Sequence, residues 1–157
     1  MIRLNKMTDY AVVMLTRMAT EAGVVTASQM AQDSGVPQPT VSKLLKLLGR
    51  AGILSSQRGA GGGYVLSRPA EAISVAEIIT ALEGPISLTA CIDGADTSCG
   101  SMPLCPMSGN WNRVNQAIQG ALDGVSLADM MPRPLEFENN VNLPAQPADN
   151  ETETIRQ

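Results

Sequence analysis

From Thr8 to about Glu21 apolar residues recur at helical spacing, with Val12, Leu15, Met18 and Ala19 forming a stripe that Ala11 and Ala22 extend. Gly23 closes that segment. Thr26-Ala-Ser-Gln29 has the form of a capping box, and it opens a short second helix that turns Met30 inward and stops at Ser34-Gly35. A third helix is expected from Pro39, a residue tolerated at the first helical position, to about Arg50. Its buried side carries Val41, Leu44, Leu45 and Leu48, and Gly52 stops it. The period then changes. Ile53-Leu-Ser-Ser-Gln reads as a brief strand, Arg58-Gly-Ala-Gly-Gly-Gly as a turn, and Tyr64-Val-Leu-Ser as a returning strand.

Two short helices joined by a tight glycine-containing turn form a helix-turn-helix pattern, and the hairpin after it makes a winged helix. The expected fold class is therefore mainly α: a winged helix-turn-helix domain over residues 1–84 with a small β-hairpin wing. Gly59, Gly61, Gly62 and Gly63 suit backbone that adopts positive φ or approaches another strand closely. A phosphate-cradling loop is the rival reading, but the lysine and Ser/Thr such a loop needs are missing.

Ser74-Val-Ala-Glu77 is a second capping box, opening a helix with Val75, Ile78, Ile79 and Leu82 apolar and Glu83-Gly84-Pro85 as its close. Residues 85–109 form a cysteine-rich loop. Over residues 110–131, Trp111, Val114, Ile118, Ala121 and Val125 alternate spacings of three and four, an a/d seam. The seam is too short to persist as a free coiled coil. It could pack on its own domain; pairing with its twin in a symmetric dimer is the preferred reading. The tail, 132–157, combines prolines, asparagines and the acids Glu136, Glu138, Asp149, Glu151 and Glu153, and is expected to be disordered.

Charge sharpens this picture. The 157-residue chain has a net charge of −4, but residues 1–68 carry eight basic side chains against three acidic ones, a local +5. A basic N-terminal part in an acidic protein is the footprint of a nucleic-acid face. Gln38, Thr40, Ser42 and Lys43 lie at the start of the second helix of the motif, where base edges are met. Gln and Ser/Thr can read those edges, while Lys43, Lys46 and Arg50 are better placed for phosphates or guanine, and Arg58 at the base of the wing suits a narrow minor groove. The expected partner is double-stranded DNA.

All three cysteines, Cys91, Cys99 and Cys105, fall in one glycine-, proline- and serine-rich stretch, and the chain has no histidine. Thiolates suit a soft metal or an iron–sulfur cluster, and three of them leave one tetrahedral position for an oxygen, a solvent molecule or an exogenous thiol. An odd cysteine count with no secretion signal argues for a reducing cytoplasm and against a disulfide framework. No run of apolar residues is long enough to span a membrane. An enzyme is disfavoured: no histidine base, nucleophile motif or cofactor fingerprint is present, and no C-x-x-C pair.

The segment L-N-K-M-T-D-Y-A-V near the start, the wing R-G-A-G-G-G-Y-V-L at 58–66, I-S-V-A-E-I-I at 73–79, and the cysteine loop and Trp111 helix that follow in order resemble the IscR-like family of bacterial winged-helix regulators. The resemblance covers residues 1 to about 131. It implies a homodimer with one iron–sulfur cluster per subunit, [2Fe–2S] or [4Fe–4S], and a roughly palindromic operator. Within the family the chain looks most like the regulator encoded with the sulfur-mobilisation (SUF) cluster-assembly operon, which implies a repressor of cluster-assembly genes. A nitric-oxide or redox sensor is the alternative within the family; a constitutive DNA-binding module with a structural zinc site is the alternative outside it. Two features depart from the family pattern. The cysteines are spaced C-x7-C-x5-C, a longer first gap than usual, and Ser108 stands where many members have a ligating histidine. Other members instead take a carboxylate from the N-terminal helix of the partner subunit, which makes Asp9 the candidate fourth ligand. Asp9 has a simpler role open to it as well, since a carboxylate near a helix N-terminus is favoured by the helix dipole.

Overall fold

A computed structural model describes residues 3–21, 23–59, 61–90, 92 and 109–131 of the chain. Helix α1 spans Lys6–Glu21. It begins before Thr8 because the Asn5 side chain caps it, its Oδ1 accepting from the backbone N–H of Met7 at 2.7 Å and of Thr8 at 3.1 Å. The buried face is Thr8, Ala11, Met14, Leu15 and Met18. It is rotated from the expected stripe: Met14 is fully buried, whereas Val12 and Ala19 are only half-buried.

Helices α2 (Ala27–Ser34) and α3 (Gln38–Arg50) form the helix-turn-helix. The capping box at Thr26 and Gln29 is present in both directions, and Gly35 ends α2 in the left-handed region at φ 68°. Helix α3 starts one residue before Pro39, which takes an early position where its missing N–H costs nothing. Val41, Leu44, Leu45 and Leu48, at i, i+3, i+4 and i+7, are all essentially inaccessible to water. Burying each such leucine contributes about 1.5–3 kcal/mol.

The wing is the antiparallel hairpin of β1 (Leu54–Gln57) and β2 (Gly63–Leu66), in the register Leu54↔Leu66 to Gln57↔Gly63. It does not stand alone. Val25, before α2, adds an antiparallel bridge on the other edge of β2, with both Val25–Tyr64 backbone bonds at 2.9 Å. Gly63 permits this approach, and Gly62 the tight close of the hairpin itself. A β-carbon on Gly63 would lie 2.6 Å from the Val25 carbonyl oxygen, and one on Gly62 would lie 2.6 Å from that of Gln57.

A 3₁₀ turn at Ala70–Ala72 leads to α4 (Val75–Glu83), opened by the reciprocal capping box of Ser74 and Glu77. Helix α5 (Asn110–Asp123) packs on α4. After it the chain returns to the body. Val75 N–H donates to Val125 O at 2.9 Å, Leu127 N–H donates to Ile73 O at 2.8 Å, and Leu127 is fully buried in the same core as α1 and α3. Val125 therefore lies past the end of α5 and bonds to the start of α4, so it does not continue the seam from Trp111.

Candidate nucleic-acid interface and the root of the cysteine segment

The leucine face of α3 fixes what the opposite face presents. At about 100° per residue, Lys43, Lys46 and Arg50 fall together on the side away from Val41, Leu44, Leu45 and Leu48. All three are exposed, as is Gln38 at the start of the helix; Thr40 and Ser42 are half-buried and flank the ridge. Arg58 is exposed where β1 ends. Between α3 and the wing runs a groove of about 290 Å³, lined by Lys46, Arg50, Ser56 and Tyr64 among others.

Two cations away from this face are held in ion pairs. Arg17 bridges Glu21 and Asp33, and Arg68 bridges Glu77 at 2.9 Å. Among the described residues, Lys43, Lys46, Arg50 and Arg58 have no carboxylate partner, so their charge is open to a polyanion. Sequence reading did not pick out Ser56 and Tyr64 as groove residues. The strand alternation placed them in a wing but gave no hint of which face would meet α3.

Cys91, Cys99 and Cys105, with Ser108, lie outside the described residues, as do 132–157. Asp9 is described. It is exposed on the first turn of α1, its carboxylate makes no hydrogen bond or ion pair among the described residues, and it lines a cleft of about 320 Å³ with Leu4, Val12, Val75 and Met130. Asn5, Lys6 and Thr8 complete its lining, and among the described residues no three metal-ligating side chains come together.

Where the cysteine segment leaves the fold it is tightly held. Gly84 ends α4 at φ 87°, and Asn115, on α5 and only 8% exposed, holds the irregular stretch that follows. Its Nδ2 donates to Ile86 O at 2.8 Å and its Oδ1 accepts from Leu88 N–H at 3.1 Å. On the other side, one carboxylate oxygen of Glu83 accepts from the Asn5 backbone N–H at 3.1 Å and from the Thr8 hydroxyl. The end of α4 is thereby joined to the turn that carries Asp9. Of the expected seam on α5, Trp111 and Val114 are 39% and 43% exposed. Ala121 is exposed too, and Ile118 is half-buried.

Among the titratable groups, Glu77 is held below the usual glutamate range. The Ser74 backbone N–H is the main cause, opposed by slight burial and aided by Arg68. No described helix is long and apolar enough to cross a membrane.

Residues 4–133 match the Rrf2 family model, described as an iron-dependent transcriptional regulator. The IscR transcriptional regulator of Escherichia coli is 28% identical over 132 residues, covering 83% of this chain and 80% of its own. The ORF2 protein of Azotobacter vinelandii, named for an HTH-type transcriptional regulator, is 34% identical over 134 residues, covering 84% of this chain and 80% of its own. Among solved structures, CymR, the global cysteine regulator of B. subtilis, superposes with a TM-score of 0.62 at 29% identity, over 83% of this chain and 96% of CymR. IscR of T. potens does so with a TM-score of 0.59 at 28% identity, over 82% and 85%. These relatives are transcriptional regulators, and the helical body, the two-stranded wing and the unpaired cations of α3 agree with them: the chain belongs to the Rrf2 family of winged-helix, DNA-binding transcriptional regulators.

Proposed function

We propose that this chain is an iron–sulfur cluster-sensing repressor that binds its operator as a homodimer in the cytoplasm. Its targets, on this reading, are cluster-assembly genes, as for the regulator encoded with the SUF operon. The observation that carries the reading is the grouping of all three cysteines on the segment between α4 and α5, in a chain whose family model is described as iron-dependent. The division of labour follows the chain. Residues 1–84 read DNA, 85–109 hold the cluster, 110–131 pair the subunits, and 132–157 form an acidic tail.

On the DNA side, Gln38, Thr40 and Ser42 meet base edges in the major groove while Lys43, Lys46 and Arg50 neutralise phosphates. Arg58 enters the flanking minor groove. Exposed Trp111 and Val114 form an apolar stripe that supports pairing of α5 with its twin. Cys91, Cys99 and Cys105 would supply three thiolates, and Asp9, donated from α1 of the partner subunit, a carboxylate. A bound cluster would supply sensitivity to oxidants, nitric oxide and iron supply. A carboxylate at Asp9 would hold soft iron less firmly than the thiolates and would be the ligand most readily lost. Because Asp9 stands on α1, its loss would bear on the DNA-binding half.

Purification without oxygen, followed by measurement of iron, acid-labile sulfide and zinc per chain, tests this reading. Iron and sulfide in matching amounts with charge-transfer absorption are expected, and Asp9→Ala is expected to destabilise the cluster without unfolding the chain. Zinc, or no metal, would instead leave a DNA-binding module with a structural or vestigial cysteine segment.

A further inference from the structure

We infer that α1 is a lever joining the root of the cysteine segment to the helix-turn-helix, with Glu83–Thr8 and Arg17–Asp33 as its two attachments. The inference rests on the reading above only in taking the cysteine segment as the sensing end. At the near end, Glu83 is the last residue of α4, and its carboxylate gathers the Thr8 hydroxyl and the Asn5 N–H, while Asn5 in turn caps α1. Thr8 is 1% exposed, so its hydroxyl has no water to fall back on if Glu83 withdraws. Five residues beyond Glu83, Leu88 is pinned by Asn115, so a shift of the cysteine segment reaches Glu83 through a short, held stretch.

The far end is fastened to the first helix of the motif. The Arg17 guanidinium donates to the Asp33 carbonyl at 3.2 Å and pairs with the Asp33 carboxylate at 3.2 Å, while Glu21 steadies it at 2.9 Å. Its Nε is buried without a partner. The side chain thus tolerates an unmet donor to keep both bonds to Asp33, two residues before the Gly35 turn that orients α3. Between Thr8 and Arg17, α1 is a rod of about 14 Å. Ala11, Met14, Leu15 and Met18 sit in the core, so it moves as one body and does not bend locally. Displacement at Thr8 is thereby delivered to Asp33 and to the turn before the recognition helix.

Coupling is reciprocal, so operator binding must be felt at the near end. The test is amide hydrogen exchange on the full-length wild type, Thr8→Val and Arg17→Gln, each with and without a selected operator duplex. In the wild type, operator is expected to slow exchange of the Asn5, Met7 and Thr8 amides by about fivefold or more, the lower end of ordinary allosteric coupling. In both variants the operator should still protect α3 while its effect at Asn5–Thr8 disappears. A purely structural role for these residues would lower the melting temperature and leave the operator effect in place. No operator effect at Asn5–Thr8 in the wild type, or one that persists in the variants, overturns the lever. Thr8→Val, nearly isosteric, decides the matter even if Arg17→Gln folds poorly. Iron and sulfide measured on the same samples report on the sensing reading separately, so the two can fail independently.

Discussion

Gly63 and Val25 stand so close that a β-carbon on the glycine would lie 2.6 Å from the Val25 carbonyl oxygen. This approach adds a single bridge to the outer edge of the hairpin and fixes the wing against the body, because Tyr64 can then exchange both backbone bonds with Val25. Gly63→Ala should destabilise the fold by about 1–3 kcal/mol through overpacking. Operator affinity should fall with the displaced wing. Gly61→Ala, where the added carbon meets open space, should stay within about 0.5 kcal/mol of wild type. Urea unfolding of the two variants checks the contrast.

Asn115 satisfies two part-buried backbone groups, and its removal leaves both without that partner. Asn115→Ala is expected to cost about 1–3 kcal/mol for each stranded group, less any water that enters. Exchange at Leu88 should rise well beyond the global change in stability, because that amide is left without its own acceptor.

The unpaired cations predict how salt acts on DNA binding. Lys46→Ala should lower the slope of log affinity against log salt by about 1, equally for specific and unrelated duplexes. Arg58→Ala should weaken operator binding by roughly 1–3 kcal/mol. Titrations at several salt concentrations separate the two behaviours, and unchanged affinity in Arg58→Ala would remove the wing from the interface.

Glu77 gives a pH signature. Its folded pKa is lowered, first by the Ser74 N–H and then by Arg68, so its contribution to stability is present above the unfolded glutamate value and is lost as pH falls through the folded one. The stability gap between wild type and Glu77→Gln should be flat near neutrality and close on acidification below the ordinary glutamate pKa. Thermal melts across that range check it. A gap that persists in acid would assign the effect to packing.

Local signals carried far into this fold. Thr26/Gln29 and Ser74/Glu77 form reciprocal capping boxes because three-residue spacing alone brings those groups together. The α3 leucines follow from the period of 3.6, and the wing from two short runs either side of a glycine-rich turn. The polar links between distant segments were not legible. Thr8 and Glu83 are 75 residues apart, Asn115 and Ile86 29, and no local pattern marks such partners. Asn115 and Leu127 carried no signal in the sequence pattern, yet Asn115 holds Ile86 and Leu88 and Leu127 is buried in the core. Val125 kept the rhythm of the seam but falls after α5, where the chain turns back to pair with α4. For the candidate site, the helical pattern of α3 was enough to place its cations. What made them a face was learned only from the pairing of Arg17 and Arg68 elsewhere.

The central claim is that a cluster on the cysteine segment controls how tightly α3 and the wing hold DNA. Operator affinity of one anaerobic preparation, measured before and after removal of its iron and sulfide with both contents recorded, tests it most directly. A change of about fivefold or more on cluster removal, absent for an unrelated duplex, is the predicted result. Equal affinity before and after, with a full complement of iron and sulfide at the start, would contradict it.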